Sequence, residues 1–306
     1  MDYLLAGDPV VERLTRKYLL GEKVKYIEAG YIKRYIDLFD IKKGLWSDAI
    51  YSKKWISTHY TLKELKYMEI NPAHKVYQKA MKRLLERLWH LEDQVKRRRH
   101  QDMCVSGMLL SMACYGKSDD PKINEIVNYM LRYRMLDGGW NCQWDKKVTS
   151  KISSVHTTLT MLEAIKDYLD NGYTYKAAEM KEAMKAGIEV LLERELFKSF
   201  KNGEPLFNGI LSPTFPPRWK YDILKALEFL ASVDYPFDPR MTEALDELKK
   251  HMKGPFTRRG SQHSGLIHFK LEDETYGRFN TFRMLKVLKQ YDHEYYHHLL
   301  TLDIDV

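Results

Sequence analysis

A short segment with one internal pattern recurs along this chain at intervals of roughly 45 to 65 residues, the spacing of two-helix repeats. The three clearest copies begin at His59, Cys104 and His156, and two weaker copies begin at Tyr221 and Phe279. Each copy carries leucine at its seventh position. Equivalent positions of stacked or circular repeats point to the same place, so the pattern predicts both a repeat fold and a site where distant residues meet.

Amphipathic stretches with helical spacing of apolar residues alternate with loops rich in Gly, Trp and Pro. Each such loop leads into one copy of the repeat. We therefore expect inner helices near 8–20, 57–70, 103–116, 154–170, 218–232 and 277–291, and outer helices near 24–39, 73–98, 121–135, 175–196 and 238–252. Strand signals are almost absent. The prediction is an all-α chain, an (α/α)6 toroid with a central cavity, formed as a single domain over residues 1–306.

Composition sets limits on function. The 306 residues are 44% hydrophobic and 30% charged, which is ordinary for a globular protein with a sizeable core. The net charge of +8 is spread along the chain without a nucleic-acid motif, so nucleic acid is not an expected partner. Three cysteines do not make a disulfide framework. No stretch approaches the roughly 18 apolar residues of a spanning helix, and the expected location is the cytoplasm.

The loop 137–140, Asp-Gly-Gly-Trp, followed by the repeat copy that starts at His156, resembles the repeat of prenyltransferases and squalene cyclases. Those proteins fold as α/α toroids. Segments 51–62, 215–222 and 278–283 extend the resemblance to bacterial squalene-cyclase-like proteins over nearly the whole chain. The sequence also departs from that family. Protein prenyltransferases have a tyrosine directly after the cysteine that binds zinc, whereas the residue after the matching Cys104 is Val105 here.

The resemblance implies a zinc site. In protein prenyltransferases an Asp-x-Cys at the start of one inner helix and a His at the start of the next bind zinc; the matching residues here are Asp102, Cys104 and His156. With these three ligands, a zinc ion would keep its fourth coordination position open for a substrate thiolate. Each residue also has a simpler interpretation. Asp102 can be a helix N-cap, Cys104 a small buried apolar residue, and His156 a polar residue at a helix start.

The same resemblance implies a diphosphate site formed by Lys96 and Arg99, which precede Asp102 at the offsets of the basic pair in those enzymes, and by His59 one repeat earlier. The alternative for 96–100 is the solvated, basic C-terminal end of an outer helix. Aromatic and basic residues of the loops are expected to line the cavity, or to anchor the loops and form ion pairs: Trp46, Trp140, Trp144, Trp219, Tyr221, Arg218 and Arg278.

These features favour an enzyme that acts on an apolar, isoprenoid-like ligand, with zinc-assisted transfer resembling prenyl transfer, and no partner subunit is implied. Proton-initiated cyclisation is disfavoured, because the acidic stretch 272–275 lacks the required pattern. Two alternatives remain. One is a toroid that binds a lipid or a peptide without catalysis. The other is a carbohydrate-active toroid, for which Asp222 and Glu163 are available carboxylates.

Overall fold

The computed structural model describes residues 1–90, 102–144, 152–260, 263–272 and 274–302. All six segments expected as inner helices are helical. Numbered with all other helices in chain order, they are α2 (Pro9–Tyr18), α4 (Thr58–Tyr67), α6 (Met103–Tyr115), α8 (Val155–Asp170), α10 (Ile223–Ser232) and α12 (Arg278–Tyr291).

The five expected outer helices also form, several of them shorter than predicted. They are α3 (Gly30–Asp37), α5 (Lys75–Leu88), α7 (Lys122–Arg132), α9 (Ala177–Leu192) and α11 (Thr242–Lys249). Two short helices, α1 (Asp2–Leu5) and α13 (His293–Thr301), lie near the ends of the described chain. Strands β1 (Met252–Lys253) and β2 (Phe256–Thr257) pair antiparallel with Met252 opposite Thr257. The described residues are therefore mostly helical, as predicted, with this hairpin as their two-stranded sheet.

Local interactions explain two of the shortened helices. Helix α3 begins only at Gly30, whose φ of +53° is left-handed, and the backbone N–H of Tyr31 donates to the Asp8 carboxylate. Helix α11 stops before the β1–β2 hairpin, which turns at Gly254 with a φ of +55°. Glycine tolerates this conformation without the steric cost that other residues incur.

The chain divides into two compact units. One comprises residues 1–34, 194–264 and 268–306, and the other comprises residues 35–193 with 265–267. In the second unit α6 packs between α4 and α8, while α5, α7 and α9 pack on these inner helices. In the first unit α12 packs against both α10 and α2. Each unit therefore places three of the expected inner helices side by side, and the toroid and the single domain stay predictions.

Helix α6 has no polar face. Every residue from Met103 to Cys114 is buried except Cys104. A helix that is apolar on all sides is stable only when other elements surround it, and α4, α5, α7 and α8 do so here. Gly107 permits close approach to α8, since a Cβ at this position would lie 2.4 Å from the Met161 methyl group.

Two repeat-equivalent tryptophans anchor the loops that precede inner helices. Trp46 and Trp140 are fully buried, and their indole N–H groups donate to main-chain carbonyls of the preceding outer helices at 2.7 and 2.8 Å. Their backbone N–H groups donate to the hydroxyls of Thr58 and Thr158, at the starts of the following inner helices. The same contacts in two repeats tie each outer helix to the next inner helix.

No helix in the described part of the chain combines the length and the apolar character needed to cross a bilayer, in agreement with the sequence.

Leu162 and Leu136 provide a matched test of this packing. Leu162 is fully buried on α8, whereas Leu136 is fully exposed in a loop. We expect Leu162→Ala to lower the free energy of unfolding by about 2–5 kcal/mol, because it leaves a cavity in a close-packed core. Leu136→Ala should change it by no more than about 0.5 kcal/mol. Urea denaturation followed by circular dichroism measures both, and equal effects would contradict the packing described here.

Candidate functional site

Two cysteine side chains meet at the start of α6. Cys104 is the second residue of this helix, and Cys142 lies in the loop that follows Trp140. Their sulfur atoms are 2.9 Å apart, beyond the roughly 2.05 Å of a disulfide bond, and neither cysteine is in a disulfide. The Thr157 hydroxyl on α8 lies 3.3 Å from the Cys104 sulfur and 3.5 Å from that of Cys142. We call Cys104, Cys142 and Thr157 the dithiol centre.

The surroundings of Cys142 favour its thiolate. The Cys104 thiol is a hydrogen-bond partner that lowers the pKa of Cys142 to about 7, although burial opposes the shift. The Thr157 hydroxyl and the backbone N–H of Cys104, which donates to the Cys142 sulfur at 3.2 Å, act in the same direction. That N–H belongs to the first turn of α6, where the helix dipole also stabilises negative charge. The nearby Asp102 carboxylate raises the pKa slightly.

A tyrosine–histidine cluster, formed by Tyr51, His59 and Tyr60, adjoins the dithiol centre. The Tyr60 hydroxyl donates to that of Tyr51 at 3.2 Å, and the His59 ring packs edge-on against both tyrosine rings, with centroids 5.0 and 4.8 Å apart. The charges of Asp102, Cys104 and Cys142 act on the Tyr51 hydroxyl and help to raise its pKa, after the larger effect of burial. The cluster and the dithiol centre therefore form one electrostatic environment.

His59 is fully buried, and neither ring nitrogen has a hydrogen-bond partner among the described residues. Burial lowers the pKa of its imidazole to about 3, and the charges of Lys63 and Lys54 add to the shift. At neutral pH the ring is therefore uncharged. It can donate one N–H to a ligand, but it cannot supply the positive charge expected of a diphosphate-binding histidine.

Two of the predicted zinc ligands, Asp102 and Cys104, lie at the start of one helix. Asp102 and Cys104 flank the start of α6 as expected, but the α8 residue that contacts the Cys104 sulfur is Thr157, the neighbour of His156. Among the described residues no group of three or more His, Cys, Asp and Glu side chains is placed to share a metal ion. The zinc site therefore stays a prediction.

Lys96 and Arg99, the other predicted phosphate contacts, lie outside the described residues. The start of α4, which carries His59, already has hydrogen bonds within the chain. The backbone N–H groups of Thr58 and His59 donate to the carbonyls of Ala49 and Ile50 at 2.8 and 3.0 Å. These two donors are therefore unavailable to a bound phosphate.

The remaining residues predicted to line a cavity make contacts within their own units. Trp144 stacks on Tyr133 with ring centroids 3.7 Å apart. The Tyr221 hydroxyl is buried and donates to the Leu196 carbonyl at 2.6 Å. Arg218 is buried, and its carbonyl accepts from the Lys225 ammonium group at 3.1 Å.

Trp219 and Arg278 are the last two residues that the sequence predicted to line a cavity. The Lys220 ammonium group lies 5.8 Å from the centre of the Trp219 ring. Arg278 pairs with Glu274 at 3.1 Å, and its guanidinium lies over the Tyr3 ring. Arg278 also lines a cavity of the first unit.

The carboxylates considered for carbohydrate chemistry have structural partners. Asp222 is the N-cap of α10, where it accepts from the Lys225 backbone N–H at 2.8 Å and from the Thr214 hydroxyl at 2.5 Å. Glu163 forms an ion pair with Lys63 at 3.7 Å. They lie in different units, so the structure does not show them as a catalytic pair.

No family model, curated protein or solved structure matches the chain.

The buried imidazole makes stability depend on pH. The pKa of His59 is lower in the folded protein than its ordinary value of 6.5, so the unfolded chain binds the proton first and stability is lost as the pH falls. We expect the His59 side chain to lower the free energy of unfolding by up to about 1.4 kcal/mol for each unit by which the pH falls between pH 6 and pH 4. In His59→Phe this contribution should be absent.

Urea denaturation at several pH values measures the effect as the difference between wild type and variant. His90→Gln is the control, because His90 is exposed. Identical pH profiles for the wild type and His59→Phe would contradict the assignment.

Proposed function

We propose that this protein acts through thiol–disulfide exchange at the dithiol centre, with Cys142 as the nucleophile and Cys104 as the resolving thiol. The observation that carries the proposal is the 2.9 Å approach of two reduced thiols, one of which receives a backbone N–H at a helix start. A low-pKa thiol beside a second thiol is the usual arrangement of a redox-active pair.

The roles follow from the hydrogen bonds. The Cys142 sulfur accepts from the Thr157 hydroxyl and lies within hydrogen-bonding distance of the Cys104 sulfur, and both groups favour its anion. A pKa of about 7 suits an attacking thiol, since nucleophilicity is best balanced against the thiolate fraction when the pKa is near the ambient pH. Cys104 is next to it and is placed to attack a mixed disulfide at the Cys142 sulfur.

The exchange balances without a further cofactor. The Cys142 thiolate attacks one sulfur of a substrate disulfide, and the other substrate sulfur leaves as a thiolate that takes up a proton. Cys104 then loses its proton and attacks the Cys142 sulfur, which forms the Cys104–Cys142 disulfide and releases the second substrate thiol. When the proton released on forming the Cys142 thiolate is included, the protein loses two electrons and two protons and the substrate disulfide gains both.

Prenyl-like transfer to a thiol is the second candidate. The observation that favours it is the aromatic environment beside the thiols, where the Trp55 ring packs edge-on against Tyr60 at 4.7 Å next to Tyr51 and His59. Such rings suit an apolar chain and can shield a developing positive charge. Neither a zinc ligand set nor a charged His59 supports the diphosphate chemistry that this candidate requires.

Alkylation by iodoacetamide tests the dithiol centre. In the wild type we expect Cys142 to react fastest, with a rate that reaches half its maximum near pH 7. Cys104→Ala removes the main cause of the low pKa, so the inflection should move towards the ordinary thiol value of about 8.5. Peptide mass spectrometry assigns the reacting residue.

Cys114 supplies the matched control. It is buried, and burial raises its pKa, so Cys114→Ser should leave the fast reaction unchanged. Incubation with oxidised glutathione should yield a Cys104–Cys142 disulfide in the wild type and in Cys114→Ser. An ordinary pKa at Cys142, or failure to form this disulfide, would refute the proposal. Protection of both thiols by stoichiometric zinc would instead support the second candidate.

A further inference from the structure

Two histidines in the first turns of α13 share one face of this helix. Residues 293–297 read His-Glu-Tyr-Tyr-His, so His293 and His297 are four positions apart, and both lie in the first unit. Side chains with this separation are neighbours on a helix surface. In the H-E-x-x-H spacing, two imidazole rings on one helical face can bind the same zinc ion. The spacing therefore indicates a metal site wherever the rings of such a pair meet.

The two imidazole rings do meet on α13. The ring centroids of His293 and His297 are 4.4 Å apart, and the ring planes differ by only 20°. Nitrogen atoms that share a zinc ion, each about 2.0–2.1 Å from it, are roughly 3 Å apart. The last side-chain torsion of histidine is broad, so a small rotation of either ring separates the stacked arrangement from a chelating one. Chelation therefore needs no change in the backbone.

The ring nitrogens of this pair are open to an ion from solvent. His293 and His297 are both exposed. Apart from ring contacts with each other and with Tyr296, neither imidazole has an interaction within the described part of the chain. An ion can therefore bind them without breaking a hydrogen bond or an ion pair of the protein. This distinguishes the pair from His59, whose nitrogens are enclosed by the core.

The helix that carries the pair is held firmly at its start. The Asp292 carboxylate caps it by accepting from the backbone N–H of Tyr295 at 3.1 Å, and it also pairs with the Lys249 ammonium group at 2.7 Å. Tyr296 and Leu299 are buried, and α13 packs against α12. A rigid helix holds both donors in place before the ion arrives, which lowers the cost of binding.

We propose that His293 and His297 form a binding site for a divalent transition-metal ion of the zinc, nickel and copper group. Imidazole nitrogen is a favoured ligand of these ions, whereas magnesium and calcium prefer oxygen ligands. No third His, Cys, Asp or Glu side chain is placed to share the ion among the described residues, so water fills the other coordination positions. The site belongs to the first unit and the dithiol centre to the second, so the inference does not depend on the proposed function.

Titration calorimetry with zinc chloride and with nickel chloride at neutral pH tests the site. The Cys104→Ala/Cys142→Ala variant is the starting protein, because free thiols would compete for both ions. We expect one ion per chain. His293→Gln and His297→Gln should each weaken binding about tenfold or more, because a single imidazole loses the gain from two linked donors. The difference between the wild type and each histidine variant gives the same test with the thiols present.

His298→Gln is the matched control. His298 is exposed on the same helix, but it is one residue beyond His297 and so points about 100° away from the pair. Its ring lies beside that of Tyr295, with centroids 6.4 Å apart. This variant should bind zinc and nickel as tightly as the starting protein. Circular dichroism establishes that each variant is folded.

Two outcomes would overturn the proposal. One is equal affinity in the starting protein and in the variant that combines His293→Gln with His297→Gln, which would place the bound ion elsewhere. The other is an equal loss of affinity in His298→Gln and His297→Gln, which would show that the ion binds any exposed histidine. Magnesium chloride should give no heat of binding at the same concentrations, since the pair offers nitrogen ligands alone.

Discussion

The burial of α6 on all sides is the constraint on which the second unit depends. An apolar helix of this kind is stable only if α4 and α8 cover its two flanks, and this fixes which inner helices are neighbours. Cys104 is the one residue of α6 between Met103 and Cys114 that is not buried. The same packing therefore leaves its thiol at the edge of the core. The loop anchored by Trp140 then brings Cys142 to the start of this helix.

Several helix starts in both units are satisfied by acidic groups of the chain itself. Asp8 accepts from the first turn of α2, Asp222 from that of α10 and Glu272 from that of α12, while the Cys142 sulfur accepts at α6. A helix start attracts negative charge because its first N–H groups lack partners within the helix. The chain thus supplies its own hydrogen-bond acceptors at these four helix starts.

The repeat pattern located all six inner helices because apolar periodicity and Gly/Trp loops are local signals. It also selected Cys104 and His59, whose positions in the repeat place them at helix starts. It did not single out Thr157, the neighbour of His156, because successive residues of a helix differ by about 100° in direction and only packing decides which of them contacts Cys104. Cys142 was visible in the Trp140 loop, but nothing in the spacing of the cysteines indicated that this loop reaches α6. Glu272 failed to match a catalytic pattern, and its burial depends on contacts that no sequence period encodes.

Cys142 and Glu272 both lie at a helix start, but their pKa values shift in opposite directions. At both, backbone N–H groups of a helix start stabilise the anion while burial destabilises it. For Cys142 the hydrogen bonds with Cys104 and Thr157 outweigh burial, so its pKa falls to about 7. For Glu272 the two backbone donors reach mainly one oxygen, burial prevails, and the pKa rises from 4.5 to about 7. Both groups consequently change charge near neutral pH, the range in which a thiolate can be formed at little cost.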